Sequence, residues 1–307
     1  NSISKINESI TLSKTKETLQ EEINDLKKEL LEVNELSKNL QENSEELQNA
    51  YTKALDINKK LKDSFSSLNI LSRINTSVEK ILLNPNQRLL HKFNHLNKCN
   101  AIVVSIDIRR STELMLKANS SEKFAEFITS LSDKLSICIK ENYGVFDKFT
   151  GDGILAFFPD FFSGKDSILF ALNAAQVCHQ IFEQHYNEFE DSFDVFLENI
   201  GLGIGIDYGE VSIVNTKAEL TVVGKPVVYA CRFSSAKAGE TFMGQNAKKL
   251  IDENFSHEVS YEKSTIFIKN EGDARCFKLT RLNFDLKEPD YSKYFESDKN
   301  LDDNDSK

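Results

Sequence analysis

Apolar residues in the first quarter of the chain recur at spacings that alternate between four and three residues. This spacing is the heptad of a coiled coil, in which one side of a long helix packs against another helix. Polar residues at three of these positions fix register and partner number at some cost in stability. A dimeric coiled-coil helix is therefore predicted over residues 1–83, with a single solvated helix as the alternative. The repeat comprises Leu19, Ile23, Leu26, Leu30, Val33, Ser37, Leu40, Ser44, Leu47, Tyr51, Ala54, Asn58, Leu61, Phe65 and Leu68.

The first proline of the chain marks the end of this helix. The stretch "LNPNQ" (residues 83–87) predicts the helix end, because proline disfavours the helical conformation of the residue before it. Residues 84–99 are predicted to be a linker. His91 and His95 lie four residues apart there, but two histidines without a third ligand are assigned no chemistry.

From residue 100 the pattern changes to short apolar runs that alternate with amphipathic stretches. The continuous, β-branched run "AIVVSI" (residues 101–106) predicts a buried central strand. The order of elements predicts an α+β domain over residues 100–282 with a mostly antiparallel sheet, followed by an acidic flexible tail over residues 283–307. Helices are predicted at 112–118, 122–142, 166–188 and 226–239, hairpins at 145–158 and 201–214, and strands at 220–223, 257–261, 264–269 and 275–281.

Three glycines occupy alternate positions in the segment predicted as the second hairpin. Gly201, Gly203 and Gly205 alternate with apolar residues, and the string does not have the spacing of a dinucleotide-binding loop. Glycine at every second strand position allows another backbone or a ligand to approach one face closely.

Composition narrows the class of protein. The 307 residues carry a net charge of -10, which argues against general nucleic-acid binding because that requires basic surfaces. The five cysteines are scattered and form no CxxC pair, so we expect reduced thiols in the cytoplasm and no zinc framework. No apolar run is long enough to span a membrane, although the chain opens on Asn1 and an upstream membrane anchor stays an open alternative.

Two carboxylates carry the candidate chemistry. Asp107 follows the predicted central strand and precedes a predicted helix, whose N-terminal N–H groups favour an anion. Asp152 lies in the Gly-Asp-Gly turn between two predicted strands. As alternatives, Asp107 is a helix N-cap and Asp152 is a turn former. Together, on strands expected to be neighbours, they indicate a site for two divalent cations ~3.5–4 Å apart, which serves displacement at phosphorus.

Four motifs that contain these residues resemble the class III nucleotidyl cyclases over roughly residues 100–282. They are "VVSIDIRRST", "FDKFTGDGILAFF", "GLGIGIDYGEV" and "LTVVGKPVVYACR", in the order and spacing of that family. The resemblance implies a ferredoxin-like cyclase fold and a head-to-tail homodimer with active sites at the interface. It also implies conversion of a nucleoside triphosphate to a 3′,5′-cyclic nucleotide and pyrophosphate.

The same resemblance implies which residues hold metal and phosphate. Asp107 and Asp152 match the two metal-binding aspartates, and the carbonyl of Ile108 matches a backbone ligand. The implied cofactors are two divalent ions per site, Mn²⁺ or Mg²⁺. Ser111 and Thr112 fall where backbone amides of the family hold the triphosphate.

The resemblance also implies roles in base recognition and catalysis. Lys148 matches a lysine that reaches the base in the partner's site, and Thr221 matches the second base-reading residue. Arg232 matches the arginine that stabilises charge developing on the α-phosphate. Val228 departs from the pattern, because purine-nucleotide cyclases usually carry a ribose-binding asparagine there. Lys217 stands near the family's phosphate-binding arginine, and a surface lysine is the preferred interpretation.

The identity of the base stays open at this point. Overall likeness favours bacterial cyclases that make cyclic CMP or cyclic UMP in antiviral defence, for which a cyclic-nucleotide-sensing effector is the expected downstream partner. An ATP-using adenylate cyclase is one alternative, because Lys148 and Thr221 suit adenine as well as cytosine. A coiled-coil signalling module that binds a nucleotide with little or no turnover is the other, and Val228 is its main support.

Overall fold

The computed structural model describes residues 2–82, 88–195, 197–216, 219–268 and 272–294. The chain divides into two compact units, Asn1–Asp63 and Ser64–Lys307. The stretch 83–87, Lys217 and residues 295–307 of the predicted tail lie outside the described residues. The first part of the predicted flexible tail packs against the domain instead, since Tyr291 is buried and the hydroxyl of Tyr294 donates to the carbonyl of Phe161. None of the helices within the described ranges combines the length and the apolar character that crossing a bilayer requires. All five cysteines are free thiols.

Helix α1 (Ser2–Leu71) carries the heptad pattern without a break. All residues from 21 to 61 are exposed, and Leu26, Leu30 and Val33 of the repeat each leave 60–63% of their surface open. A row of exposed leucines on one side of a long helix is the usual mark of a surface that packs against a partner. The long N-terminal helix is thus confirmed, but it ends at Leu71 rather than near residue 83, because Ile74, Val78 and Leu82 are buried in a core cluster of the second unit. Its pairing stays a prediction.

The second unit contains one sheet with a mostly antiparallel arrangement. The strand order is β2-β3-β1-β4-β6-β8-β7, and β5 pairs with the end of β4. Of the described pairs, β4 with β6 is parallel and the others are antiparallel, which confirms the predicted fold class. The strands are β1 (Lys98–Arg109), β2 (Val145–Phe149), β3 (Gly153–Pro159), β4 (Gly201–Asn215), β5 (Leu220–Val223), β6 (Glu240–Met243), β7 (Val259–Ile268) and β8 (Gly272–Leu282).

Both faces of the central strand β1 are buried along most of its length. Ile102, Val104 and Ile106 pack with residues of α5 and α7, whereas Ala101 and Val103 face a second cluster that includes Ala230 of α8. Because strand side chains alternate, Asp107 lies on the α8 face of the sheet. The helices after α1 are α2 (Glu79–Leu82), α3 (Arg88–Lys92), α4 (Ser111–Leu116), α5 (Ser121–Glu141), α6 (Asp160–Ser163), α7 (Ser167–Glu188), α8 (Lys225–Phe233) and α9 (Gln245–Asn254).

The alternate glycines of β4 allow α8 to pack backbone against backbone. A Cβ atom at Gly205 would lie 2.0 Å from the carbonyl oxygen of Ala230, and one at Gly203 would lie 2.4 Å from that of Ser234. No real side-chain atom tolerates such distances, so only glycine lets the helix approach this closely. The prediction that a backbone approaches this face is confirmed, and the contact fixes α8 on the sheet.

Gly205→Ala is expected to lower the free energy of unfolding by about 3 kcal/mol or more, because α8 would have to move off the strand. Gly201→Ala is the matched control on the same strand and face. Its Cβ would lie 3.1 Å from the Cβ of Ala238, so we expect a loss below about 1 kcal/mol. Chemical denaturation of both variants measures this difference, and equal losses would contradict the packing argument.

Four predicted elements differ from the structure. The segment 201–214 is one continuous strand rather than a hairpin, because β1 pairs with it from Gly201 to Ser212 and leaves no room for a reversal. Helix α8 ends at Phe233 rather than near residue 239. Just after this end, the hydroxyls of Ser234 and Ser235 donate hydrogen bonds to backbone carbonyls of the last helical turn. Strand β7 runs unbroken over the two short strands predicted between residues 257 and 269.

Candidate active site

Asp107 lies near the end of β1, between two glycines on the neighbouring strands. It pairs with Gly153 of β3 on one side and with Gly203 of β4 on the other. Since residues directly opposite each other share a face of the sheet, no side chain from either neighbour covers the carboxylate. About a third of its side chain is exposed. The carboxylate therefore lies in a partly exposed recess of the sheet surface, which the backbone of Ser234 and Ala236 bounds on the Gly203 side.

Asp152 reaches the same recess from the turn between β2 and β3. Gly151 adopts a left-handed backbone with φ of 78°, and the N–H of Thr150 donates to the carbonyl of Gly153 at 2.7 Å to close the turn. The hydroxyl of Ser111, the first residue of α4, donates to the carboxylate of Asp152. The turn and the start of α4 are thereby held together beside Asp107.

A left-handed residue directs the chain from β1 into α4. Arg110 has φ of 62° and ψ of 28°, a conformation that costs a non-glycine residue roughly 1 kcal/mol. Its guanidinium donates to Glu113 and to the carbonyl of Glu198, which hold it in place. The sharp change of direction places Ser111 opposite Asp152, while Thr112 is exposed.

Burial, an arginine and a neighbouring carboxylate together set the pKa of Asp107. Burial raises the pKa of Asp107 above its usual value, Arg109 lowers it, and the negative charge of Asp152 raises it again. Nη1 of Arg109 donates to Oδ2 of Asp107 at 2.5 Å. The pairing of Asp107 with Gly153, the residue after Asp152, brings the two aspartates close together, as the sequence predicted.

The donor atoms at this recess fit a hard divalent cation. Carboxylate oxygens of Asp107 and Asp152, with the backbone carbonyl of Ile108 beside them, are the ligand types that Mg²⁺ and Mn²⁺ prefer. The described residues contain no cluster of three or more His, Cys, Asp and Glu side chains that could hold a metal. A cation here would therefore rely on two carboxylates, a backbone oxygen and oxygens from outside the chain.

A bulge in β2 sets the direction of Lys148. The register with β3 runs Phe146 to Ala156 and then Lys148 to Leu155, so Asp147 is an extra residue without a partner. In a regular strand Lys148 would lie on the same face as Phe146. The bulge moves it to the face of Leu155, which is also the face of Asp107.

Lys148 and Thr221 belong to one polar cluster between β2 and β5. The buried carboxylate of Asp147 accepts a hydrogen bond of 2.5 Å from the hydroxyl of Thr221 and one of 3.4 Å from the N–H of Val222. Nζ of Lys148 lies 3.8 Å from the other oxygen of Asp147 and forms an ion pair with Glu219. The two residues predicted to read a base are thus held side by side.

Arg232 lies in the last turn of α8, the helix fixed by Gly205. It is half-buried, and Val228 lies four residues earlier with 49% of its surface exposed. Residues four apart share a face of a helix. The position that would carry a ribose-binding asparagine therefore stands beside Arg232 at the surface, and its valine offers no polar atom.

Comparison with solved structures places this arrangement in a known fold. The adenylyl cyclase CyaB from P. aeruginosa matches 63% of this chain and 100% of its own, at 19% identity and a TM-score of 0.54. The guanylyl cyclase Cya2 matches 62% of this chain and 96% of its own, at 19% identity and a TM-score of 0.53. The second unit has the fold of nucleotidyl cyclase catalytic domains. A scan against family models and a search of curated proteins each return no match.

The cyclase fold accommodates three further polar residues that the sequence analysis did not single out. Arg109 is two residues from Asp107, and the period-two rule for strands would have placed both on one face. Asp147 precedes Lys148 but is hidden by the bulge, which no local pattern announces. Glu219 reaches Lys148 across 71 residues of sequence, a contact that only the pairing of β4 with β5 creates.

Proposed function

We propose that the chain is a nucleotidyl cyclase that converts a nucleoside triphosphate to a 3′,5′-cyclic nucleotide and pyrophosphate. The observation that carries the proposal is the pairing of Asp107 with Gly153 in a cyclase fold, which brings the partly exposed Asp107 next to Asp152. Two neighbouring carboxylates are the arrangement that metal-assisted phosphoryl chemistry needs.

Asp107, Asp152 and the carbonyl of Ile108 would hold two divalent ions, Mn²⁺ or Mg²⁺. When bound, such ions neutralise phosphate charge and stabilise the attacking and leaving oxygens. Ser111 positions the carboxylate of Asp152 through its hydroxyl. The backbone N–H groups of Ser111 and Thr112 belong to the first turn of α4, where the helix itself supplies no acceptor, and they would bind phosphate oxygens.

Base recognition and charge stabilisation fall to the remaining site residues. Lys148 and Thr221 would contact the edge of the base, and Arg232 would stabilise negative charge on the α-phosphate as the bond to pyrophosphate breaks. Lys148 and Asp152 share one hairpin, yet they belong to separate clusters in the protomer. We assign them to opposite sites of a head-to-tail homodimer, so that each site uses residues of both subunits.

The N-terminal helix would maintain this dimer. Its row of exposed apolar residues has the spacing of a coiled-coil seam. Pairing of two such helices along α1 would keep two catalytic domains at a high effective concentration. The catalytic domain would comprise residues 100–282, against which the described residues between α1 and β1 and those after β8 pack.

For the substrate we favour CTP or UTP, on the likeness of the motifs to bacterial pyrimidine cyclases, with cyclic CMP or UMP acting as a signal in antiviral defence. ATP is the alternative, since Lys148 and Thr221 offer partners that adenine also satisfies. Nucleotide binding with little turnover is the third candidate. Val228 favours it, because an exposed valine beside Arg232 cannot hydrogen-bond the ribose.

Incubation of the purified protein with each of the four nucleoside triphosphates and Mn²⁺, followed by mass analysis of the products, tests the proposal. A cyclic pyrimidine nucleotide supports the favoured substrate, and cyclic AMP supports the alternative. Absence of a cyclic product from all four would exclude the enzyme and favour the binding module.

A further inference from the structure

The buried carboxylate of Asp147 lies between the two residues assigned to base recognition. It is fully buried, and its Oδ1 atom has no hydrogen-bond partner among the described residues. Its Oδ2 atom accepts from the hydroxyl of Thr221 and from the N–H of Val222. This acidic side chain lies inside the protein, on the strand face of the buried Val145, where an unneeded charge would be costly.

The charge state of Asp147 decides the direction of its bond to Thr221. Burial raises the pKa of Asp147 to about 6, against the effect of Thr221, Lys148, the N–H of Val222 and Arg73. Above that pH the carboxylate is ionised and can only accept hydrogen bonds. The Thr221 hydroxyl has one hydrogen, and the 2.5 Å contact commits it to Asp147. Thr221 therefore presents only oxygen lone pairs to a ligand.

Lys148, in contrast to Thr221, can only donate hydrogen bonds to a ligand. Its ammonium has three N–H donors and no acceptor, and Glu219 engages one of them. The pair thus offers a base one donor and one acceptor. Adenine and cytosine carry an exocyclic amino donor next to a ring nitrogen that accepts, whereas guanine and uracil carry a keto oxygen in place of the amino group. Placed on Thr221, a keto oxygen would meet a second acceptor.

We propose that Asp147 is a positioning residue that fixes the Thr221 hydroxyl as an acceptor. It thereby selects ATP and CTP, whose bases carry an amino group at C6 of the purine or C4 of the pyrimidine, over GTP and UTP, whose bases carry a keto oxygen at that position. This inference rests on the proposed cyclase function and narrows its substrates. Within the pyrimidines it selects CTP. Asp147 itself does not touch the base, because it has no exposed surface.

The test compares kcat/KM for the four triphosphates in the wild type and in three variants. The wild type is expected to use ATP or CTP at least about tenfold better than its keto counterpart, GTP or UTP respectively. Asp147→Ala frees the Thr221 hydroxyl to donate outward, so this ratio should fall toward one. Asp147→Asn should retain it, because the N–H of Val222 keeps the amide oxygen turned toward Thr221.

Asp160→Ala is the matched control. Asp160 is also a carboxylate whose pKa burial raises, and it accepts from Tyr208 and Ser167 instead of from the base-reading cluster. Its removal should leave the ratio between amino and keto bases unchanged, whatever it does to stability. A ratio that falls equally in Asp160→Ala and Asp147→Ala would mean a general structural effect and would overturn the proposal.

The pH dependence of the same ratio is a second readout, and it does not require Asp147→Ala to fold. A protonated Asp147 can donate to Thr221, so the wild-type ratio should decline below about pH 6. The charged groups that face Asp147 are Lys148, Arg73 and, through Lys148, Glu219. In Asp147→Asn the ratio should not vary with pH.

The outcomes separate the two claims. Turnover of GTP or UTP at an efficiency equal to that of ATP and CTP overturns the role of Asp147 and leaves the cyclase proposal standing. A ratio that is insensitive to both Asp147→Ala and pH does the same. Absence of any cyclic product from the four triphosphates rejects the cyclase proposal and this inference with it.

Discussion

Asp107→Asn and Asp152→Asn are each expected to lower the rate of cyclic nucleotide formation by about a thousandfold or more, a loss of roughly 4 kcal/mol of transition-state stabilisation. Asparagine has nearly the same shape but removes the negative charge that attracts a divalent cation. Because the two side chains have nearly the same volume, each substitution weakens the cation site without creating a cavity. The measurement is the rate of cyclic nucleotide formation in the presence of Mn²⁺.

The fold should survive both substitutions. The ion pair of Asp107 with Arg109 is about one-third exposed, so its loss costs little, and removal of one charge relieves the repulsion between the aspartates. Circular dichroism and thermal unfolding check this, with Asp133→Asn on the exposed side of α5 as the control that should affect neither measurement. Activity within tenfold of the wild type in Asp107→Asn or Asp152→Asn would refute the assignment of these carboxylates to metal.

Arg232→Ala is expected to lower kcat by about a hundredfold or more while KM changes little. A group that contacts charge present only in the transition state contributes to kcat rather than to substrate binding. Helix α8 is fixed to β4 by the backbone contact at Gly205, so the guanidinium is presented from a rigid element. Steady-state kinetics with the preferred triphosphate measure the two parameters separately.

Cys231→Ala is the matched control for Arg232. Cys231 is the preceding residue of the same helix and is exposed, so its replacement should leave kcat unchanged. Arg232→Lys should recover part of the lost rate, because it keeps a charge but loses the fork of donors. A rise in KM with unchanged kcat in Arg232→Ala would instead assign this residue to ground-state binding.

The sequence predicts those parts of the fold in which local pattern and tertiary structure agree. Strand β5 occupies the predicted residues, and α5 agrees within two residues at either end, because its apolar side faces the core along its whole length. Helix α9 is absent from the predicted elements. Its sequence "QNAKKLIDEN" buries only Ala247 and Ile251, too few apolar positions for a visible period.

The positions of site residues can be predicted from the sequence when these residues belong to one of the four motifs. Asp107 and Asp152 are correctly predicted to lie together, because the strand that carries Asp107 pairs with the strand that follows Asp152, as the sequence analysis expected. The environment of Lys148 is not predictable, since a bulge shifts the alternation of side chains by one residue. Glu219 and Asp147 enter through long-range pairing and burial, and neither leaves a mark in local sequence.

Complementation between two inactive variants tests the shared site most directly. If Asp152 and Lys148 serve opposite sites, co-expressed Asp152→Asn and Lys148→Ala subunits form mixed dimers in which one site has both residues intact. Half of randomly paired dimers are mixed, so the account predicts recovery of about a quarter of wild-type activity. Asp107→Asn co-expressed with Asp152→Asn is the control and should recover nothing, since both changes damage the same half of a site. Recovery in the control, or none with Lys148→Ala, would contradict a catalytic centre built from two subunits.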